Sequence, residues 1–238
     1  MIRADDSLAE AEVSPAAARS SLPEEVARRI RADIFAGRLR PGERINQDEL
    51  AEAMEVSRVP IREALIALER EGLVRIVPRR GAFVWELAPD DIGDQYEIYG
   101  IVSAMATERA AEGLTEEQLE ALHGLIDRMD AEADPVELER LNSRFHEIVN
   151  RASGSRRLTW MLGLLASSVP ASYHDAGGWQ LAAEDHRQIL DRLAARDRKG
   201  AGEAMRKHVK RTGEVALEAL ERAGLWKGEQ AQPKATGV

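Results

Sequence analysis

Ser57-Arg58-Val59-Pro60-Ile61-Arg62-Glu63-Ala64-Leu65 is the stretch from which the rest of the chain is read. Ile61, Ala64, Leu65 and Leu68 recur at the spacing of one helical face, and Ser57 stands where a helix cap is expected. Arg58 and Arg62 lie one turn apart, beside that apolar stripe and not in it. Upstream, Pro23 to Ala36 reads as a helix with Glu24 and Glu25 in its first turn and Gly37 as its stop. Arg40-Pro41-Gly42 makes a turn, and Asn46 with Glu49 three residues later starts a short helix through Met54. Downstream of Gly72, Leu73–Val77 and Ala82–Trp85 are β-rich runs around Pro78-Arg79-Arg80-Gly81, a four-residue turn ending in glycine. Three helices and a hairpin in this order predict a winged helix-turn-helix over residues 22–87.

From Pro89 onward every segment reads as helix: Asp90–Glu112, Glu116–Glu132, Pro135–Ala152, Arg156–Ser168, Trp179–Arg196 and Ala201–Ala223. Thr115 with Gln118, Asp134 before Pro135, and Gly154 and Gly224 mark helix ends. The expected fold is therefore mainly α, a winged helix-turn-helix followed over residues 88–227 by an antiparallel bundle of about six helices. Met1–Ser21 and Gly228–Val238 lack apolar period and read as flexible tails. Aromatics make up only 4% of the 238 residues, which suits Leu-, Ile-, Val- and Ala-based helical packing. There is no cysteine, which excludes disulfides and thiolate metal sites. No stretch resembles a signal peptide or a membrane span, so a soluble, cytoplasmic protein without a membrane partner is expected.

The net charge of −9 decides little, because its distribution is uneven. Residues 22–86 hold 12 basic and 12 acidic side chains, leaving 21 basic and 30 acidic elsewhere. Phosphate contacts depend on local potential, so an acidic distal domain is compatible with a DNA-binding face. Arg58 and Arg62, in the first turns of a helix that enters a major groove in this motif, can grip a guanine edge or a phosphate. Ser57 can donate to a phosphate beside the positive helix end. At the hairpin tip, Arg79 and Arg80 can enter a minor groove where Gly81 permits close approach. An arginine pair on an ordinary solvated helix would look similar; the basic tip at the right distance distinguishes this one.

In the bundle, Asn142 and His146 border the stripe Leu138, Leu141, Phe145 and Val149. His186 lies in line with Ile189, Leu190 and Leu193, and His208 with Met205, Val209 and Ala216. Three imidazoles and an amide oxygen converging in a core could coordinate a divalent ion; lone core histidines bonded to a carbonyl or water are the alternative. His123 reads as a satisfied helix-edge histidine, and His174 and Trp179 as loop and anchoring residues.

Residues 30–84 resemble the DNA-binding domain of GntR-type regulators, through Ile34-Phe35-Ala36-Gly37-Arg38-Leu39-Arg40-Pro41-Gly42, Glu49-Leu50-Ala51, Val56 to Leu65, and Leu68-Glu69-Arg70-Glu71-Gly72-Leu73-Val74. The resemblance implies operator contacts by Arg58 and Arg62 and a wing tip at Gly81. Some members carry a DNA-touching arginine where this chain has Asp48. The helical part is similar to the FCD-type domain of the FadR branch, through Asn142-Ser143-Arg144-Phe145-His146, Glu184 to Leu190, and Met205-Arg206-Lys207-His208. That similarity implies a metal held by Asn142, His146, His186 and His208 and a pocket for an organic acid. The first ligand is often Asp, so Asn142 leaves the ion its full charge, which favours a carboxylate effector. Tyr99 and Ser103 stand where many members carry an arginine and a glutamate, and are expected to line a differently shaped pocket.

The reading that follows is a homodimeric transcription regulator, not an enzyme. It binds a palindromic double-stranded DNA operator and responds to a small carboxylate effector beside a divalent metal, zinc first, with nickel or manganese as alternatives. A purely structural metal without effector is a second reading. A metal-dependent hydrolase is a third, disfavoured because the cluster words place no carboxylate as general base.

Overall fold

A computed structural model describes residues 21–169 and 176–226. The expected tails therefore lie outside the described residues, except for Ser21, and so does His174. Ser21 is not tail: its hydroxyl accepts from Glu24 N while the Glu24 carboxylate accepts from Ser21 N, a reciprocal box that starts α1, Leu22–Phe35. Next come β1, Arg44–Ile45; α2, Gln47–Ala53; α3, Arg58–Arg70; β2, Val74–Val77; and β3, Gly81–Val84. Val26, Ile30 and Ile34 of α1 meet Ile61, Leu65 and Leu68 of α3, all nearly inaccessible to solvent. This apolar packing sets the angle at which α3 is presented.

The hairpin differs from expectation in two ways. Val77 pairs with Gly81, so only residues 78–80 close the loop, and Arg79 takes the left-handed conformation with φ 64°. A third strand, β1, pairs antiparallel with β3, giving the order β1-β3-β2. Two residues are too few to show an alternating pattern, so β1 carries no sequence signal.

The remaining helices are α4, Pro89–Gly113; α5, Glu116–Ala131; α6, Pro135–Ala152; α7, Arg156–Ser167; α8, Ala176–Ala194; and α9, Arg198–Arg222. The expected Thr115–Gln118 box and the Asp134 cap are present, and Gly154 and Gly224 take positive φ. α9 begins earlier than its apolar pattern because Asp197 caps it by accepting from Gly200 N, 3.0 Å. α4 and α9 run antiparallel, with Tyr96 against Gly213, Gly100 against Val209, and Glu108 against Gly202. A Cβ at Gly213 would lie 2.7 Å from the Tyr96 ring, so this close approach needs glycine.

Phe145, Leu122, Leu141, Ile189, Leu190 and Met205 fill the bundle core. Phe35 and Leu87 pack against both this core and that of the winged helix. Trp226 Nε1 donates to the Leu87 carbonyl at 2.7 Å, tying the segment after α9 to the connection between the two cores.

Candidate DNA-reading face and metal centre

α3 opens in an unusual way. Ser57 is its N-cap, yet its hydroxyl makes no capping bond. A cap accepts from the second or third helical N–H, and the third residue here, Pro60, has none. The hydroxyl and the first-turn amides of Arg58 and Val59 thus face outward, where a phosphate can use them. Arg58 and Arg62 are both exposed beside them. Arg62 has no ion pair among the described residues. Arg58 Nε lies 2.6 Å from Asp48 Oδ1, and both side chains are mostly open to solvent, so the pair sits on the surface of the reading face.

At the wing, Arg79 and Arg80 are exposed, and the Arg80 guanidinium lies over the Phe83 ring, 5.7 Å from its centre. Gly81, with φ 106°, makes room inside the protein: a Cβ there would meet Arg44 Nε at 3.2 Å. Arg44 Nε donates to the Arg80 carbonyl at 3.1 Å. Arg44 is a basic residue of the wing that sequence reasoning missed, because only the β1–β3 pairing brings it there.

In the bundle, His146 on α6, His186 on α8 and His208 on α9 converge, with one nitrogen from each inside a span of 4.8 Å. His186 is fully buried, and neither ring nitrogen has a hydrogen-bond partner among the described residues. Its ring stacks on Phe145 at 4.2 Å. Desolvation first, then the neighbouring His208 ring, pushes His146 down to about 3. Desolvation, then His208 and His146, pushes His186 well below the usual imidazole range. Both rings are therefore neutral at physiological pH, with a lone pair available. Three imidazoles at ligand spacing, one of them with both nitrogens orphaned, fit a divalent transition metal.

Asp185, which sequence reasoning passed over, is buried beside this cluster. Its Oδ2 lies 3.4 Å from His208 Nδ1 and its Oδ1 2.9 Å from an Arg211 nitrogen. The adjacent carboxylate thus orients the imidazole and is not among the residues that line the cavity. Its signal in the sequence was an acid inside an otherwise apolar stripe, which burial obliges to find partners.

A cavity of about 330 Å³ adjoins the cluster, lined by Asn142, His146 and His208 and by Tyr99. Ser103 does not line it: one turn along α4, it is buried, with its carbonyl accepting the Thr107 hydroxyl at 2.8 Å. Glu139 and Glu147 border the cavity, and no lysine or arginine is among its described lining residues. His123 Nδ1 sits 3.0 Å from the Leu119 carbonyl, as expected of a helix-edge histidine. No helix among the described residues is long and apolar enough to cross a membrane.

Comparison with known proteins matches both parts of the chain. The family model "Bacterial regulatory proteins, gntR family" matches residues 22–84, and that of the FCD domain matches residues 94–211. The HTH-type transcriptional regulator YdhC of Bacillus subtilis is 29% identical over 196 residues, covering 79% of this chain and 88% of its own. The Nta operon transcriptional regulator of Aminobacter aminovorans is 28% identical over 184 residues, 76% and 88% of the two chains. Among solved structures, E. coli McbR/YncC shares the fold with a TM-score of 0.66 at 22% identity, over 83% of this chain and 98% of that one. A GntR family member from Pseudomonas syringae pv. tomato str. DC3000 matches with a TM-score of 0.51 at 26% identity, over 85% and 88%.

Proposed function

Because the chain belongs to the GntR family of bacterial regulatory proteins and carries an FCD domain, we propose that it is an operator-binding regulator governed by a small organic acid held beside a divalent metal ion. DNA binding and transcription regulation come with the family; the acid and the metal are the proposal. In it, residues 22–87 read DNA through Ser57, Arg58, Arg62 and the wing residues Arg79, Arg80 and Gly81, and residues 88–227 sense and dimerise. The observation that carries it is the orphaned, buried His186 beside His146 and His208, the two histidines that line the adjoining cavity.

His146, His186 and His208 would hold the ion, with Asn142 at the cavity wall as a neutral fourth donor; zinc is preferred, nickel and manganese being alternatives. When bound, the ion supplies a positive charge that attracts a carboxylate. Asp185 orients His208, and Tyr99 lines the cavity. α9 carries His208 and ends against the winged helix, where the Ala223 carbonyl packs so near Gly37 that an added Cβ would meet it at 3.1 Å. α4 carries Tyr99 and starts just after Leu87. A ligand that shifts either helix therefore acts on the element that presents α3.

The test is a titration of metal-loaded protein with small mono-, di- and hydroxycarboxylic acids, read by melting temperature and by operator affinity at fixed salt. One acid is expected to raise the melting temperature and change operator Kd by at least about fivefold. The absence of lysine or arginine among the described lining residues favours one other reading, a metal that only stiffens the bundle. Bound metal with no response to any acid would establish that reading instead.

Dimerisation has its own support. Ile98, Ile101 and Met105 form an exposed apolar stripe on α4, and Trp160 and Leu164 are exposed on α7, which packs beside it. Large apolar side chains left uncovered on adjoining helices are characteristic of an association surface, and a two-fold pair is what a palindromic operator requires. Ile101→Glu, at an already exposed position, is expected to keep the helical circular-dichroism signal, to give a monomer by light scattering whose melting temperature no longer rises with protein concentration, and to weaken operator binding at least tenfold. A persistent dimer would place the interface elsewhere.

A further inference from the structure

We propose that Asp48 is a specificity-determining residue of the DNA-reading face, accepting from the exocyclic amino group of a cytosine or adenine beside the base read by Arg58. The inference rests on the DNA-binding reading above and refines it. Asp48 lies in the first turn of α2 and Arg58 in the first turn of α3, with Oδ1 and Nε 2.6 Å apart and both groups exposed. An exposed pair of this kind contributes next to nothing to folding. Nor is Asp48 needed to cap α2, since Asn46 Oδ1 already accepts from the Asp48 and Glu49 amides.

The chemistry of DNA narrows what this carboxylate can do. A phosphate repels it, so the contact an arginine would make with the backbone is closed to it. Guanine N7 and O6 and thymine O4 are acceptors and repel it as well. The donors that a major groove offers are cytosine N4 and adenine N6. A carboxylate fixed against an arginine thus forms a composite reader, in which Arg58 seeks an acceptor edge and Asp48 an amino group within one base step of it. Arg62, one turn along α3 and without an ion pair among the described residues, is available for its own contact. The carboxylate also lowers the positive potential of the face, so it weakens binding to arbitrary DNA while strengthening binding to matched sites.

Selection of bound sites from random duplexes, with wild type, Asp48→Ala, Asp48→Asn and Arg58→Ala, tests the idea. Wild type is expected to prefer an amino-bearing base at one half-site position, in the same or a neighbouring base pair as the position lost in Arg58→Ala. Asp48→Ala is expected to lose that preference about tenfold while binding non-specific duplex more tightly with a steeper salt dependence. Asp48→Asn, which keeps the shape but adds a donor, is expected to relax the choice of base there. Melting temperatures of the variants close to wild type establish that the fold is intact. Should both Asp48 variants keep the wild-type base preferences and merely bind all sequences more tightly, Asp48 is only a charge and the proposal fails. Failure of wild type to select any site would instead overturn the DNA-binding assignment of this face.

Discussion

His186→Leu is expected to change the sign of its effect with metal content. In metal-loaded protein the variant loses its ion, from one per chain to essentially none by elemental analysis, and melts well below wild type. A site filled at a hundred times its Kd stabilises by about 2.7 kcal/mol, which for a domain of this size amounts to about 5–10 °C. In chelator the order reverses or the gap closes. The wild-type ring is then a buried imidazole whose two nitrogens have no partner among the described residues, and an unsatisfied buried polar group costs about 1–3 kcal/mol. Leucine removes that cost and packs against Phe145 in its place. The two melting curves, with and without chelator, therefore separate a metal ligand from an ordinary core residue. Equal destabilisation of the variant in both conditions would show that His186 packs without binding an ion.

Arg62→Ala carries the second large effect. Arg62 is exposed on the side of α3 away from the buried Ile61, Ala64 and Leu65, and no acid pairs with it among the described residues. Losing a base contact costs roughly 1–3 kcal/mol, and a two-fold dimer loses it in both half-sites, so specific binding falls by about 2–6 kcal/mol. At the upper end of that range, specific affinity approaches the non-specific level. Removing a charge from an exposed helix position leaves the fold intact, so a titration against the selected operator at fixed salt isolates the effect. Unchanged operator affinity would remove Arg62 from the interface. A fall equal for operator and random duplex would demote it from base reading to phosphate contact.

The parts of the molecule that were legible in the sequence share one property: their causes act within a few residues. The start of α5 was visible because Thr115 and Gln118 bond across a single turn, and α6 because Asp134 and Pro135 define its first residues. Arg58 and Arg62 were assigned to the exposed side of α3 from the spacing of Ile61, Ala64 and Leu65 alone, and the buried side follows that spacing. Where the starts of α1 and α9 were misjudged, an outlying cap was responsible, Ser21 in the first and Asp197 in the second.

By itself, then, the order of residues determined which segments are helical, which faces are apolar, and that a basic helix start precedes a basic hairpin, because helical periodicity and capping operate over three or four residues. Only the tertiary structure decided that Arg44 joins the wing, that Gly81 makes room for it, that Asp48 sits against Arg58, and that Asp185 holds His208 while Ser103 is left out of the cavity lining. Each of those relations spans elements whose mutual placement follows from how whole apolar faces pack, and no local pattern encodes that distance.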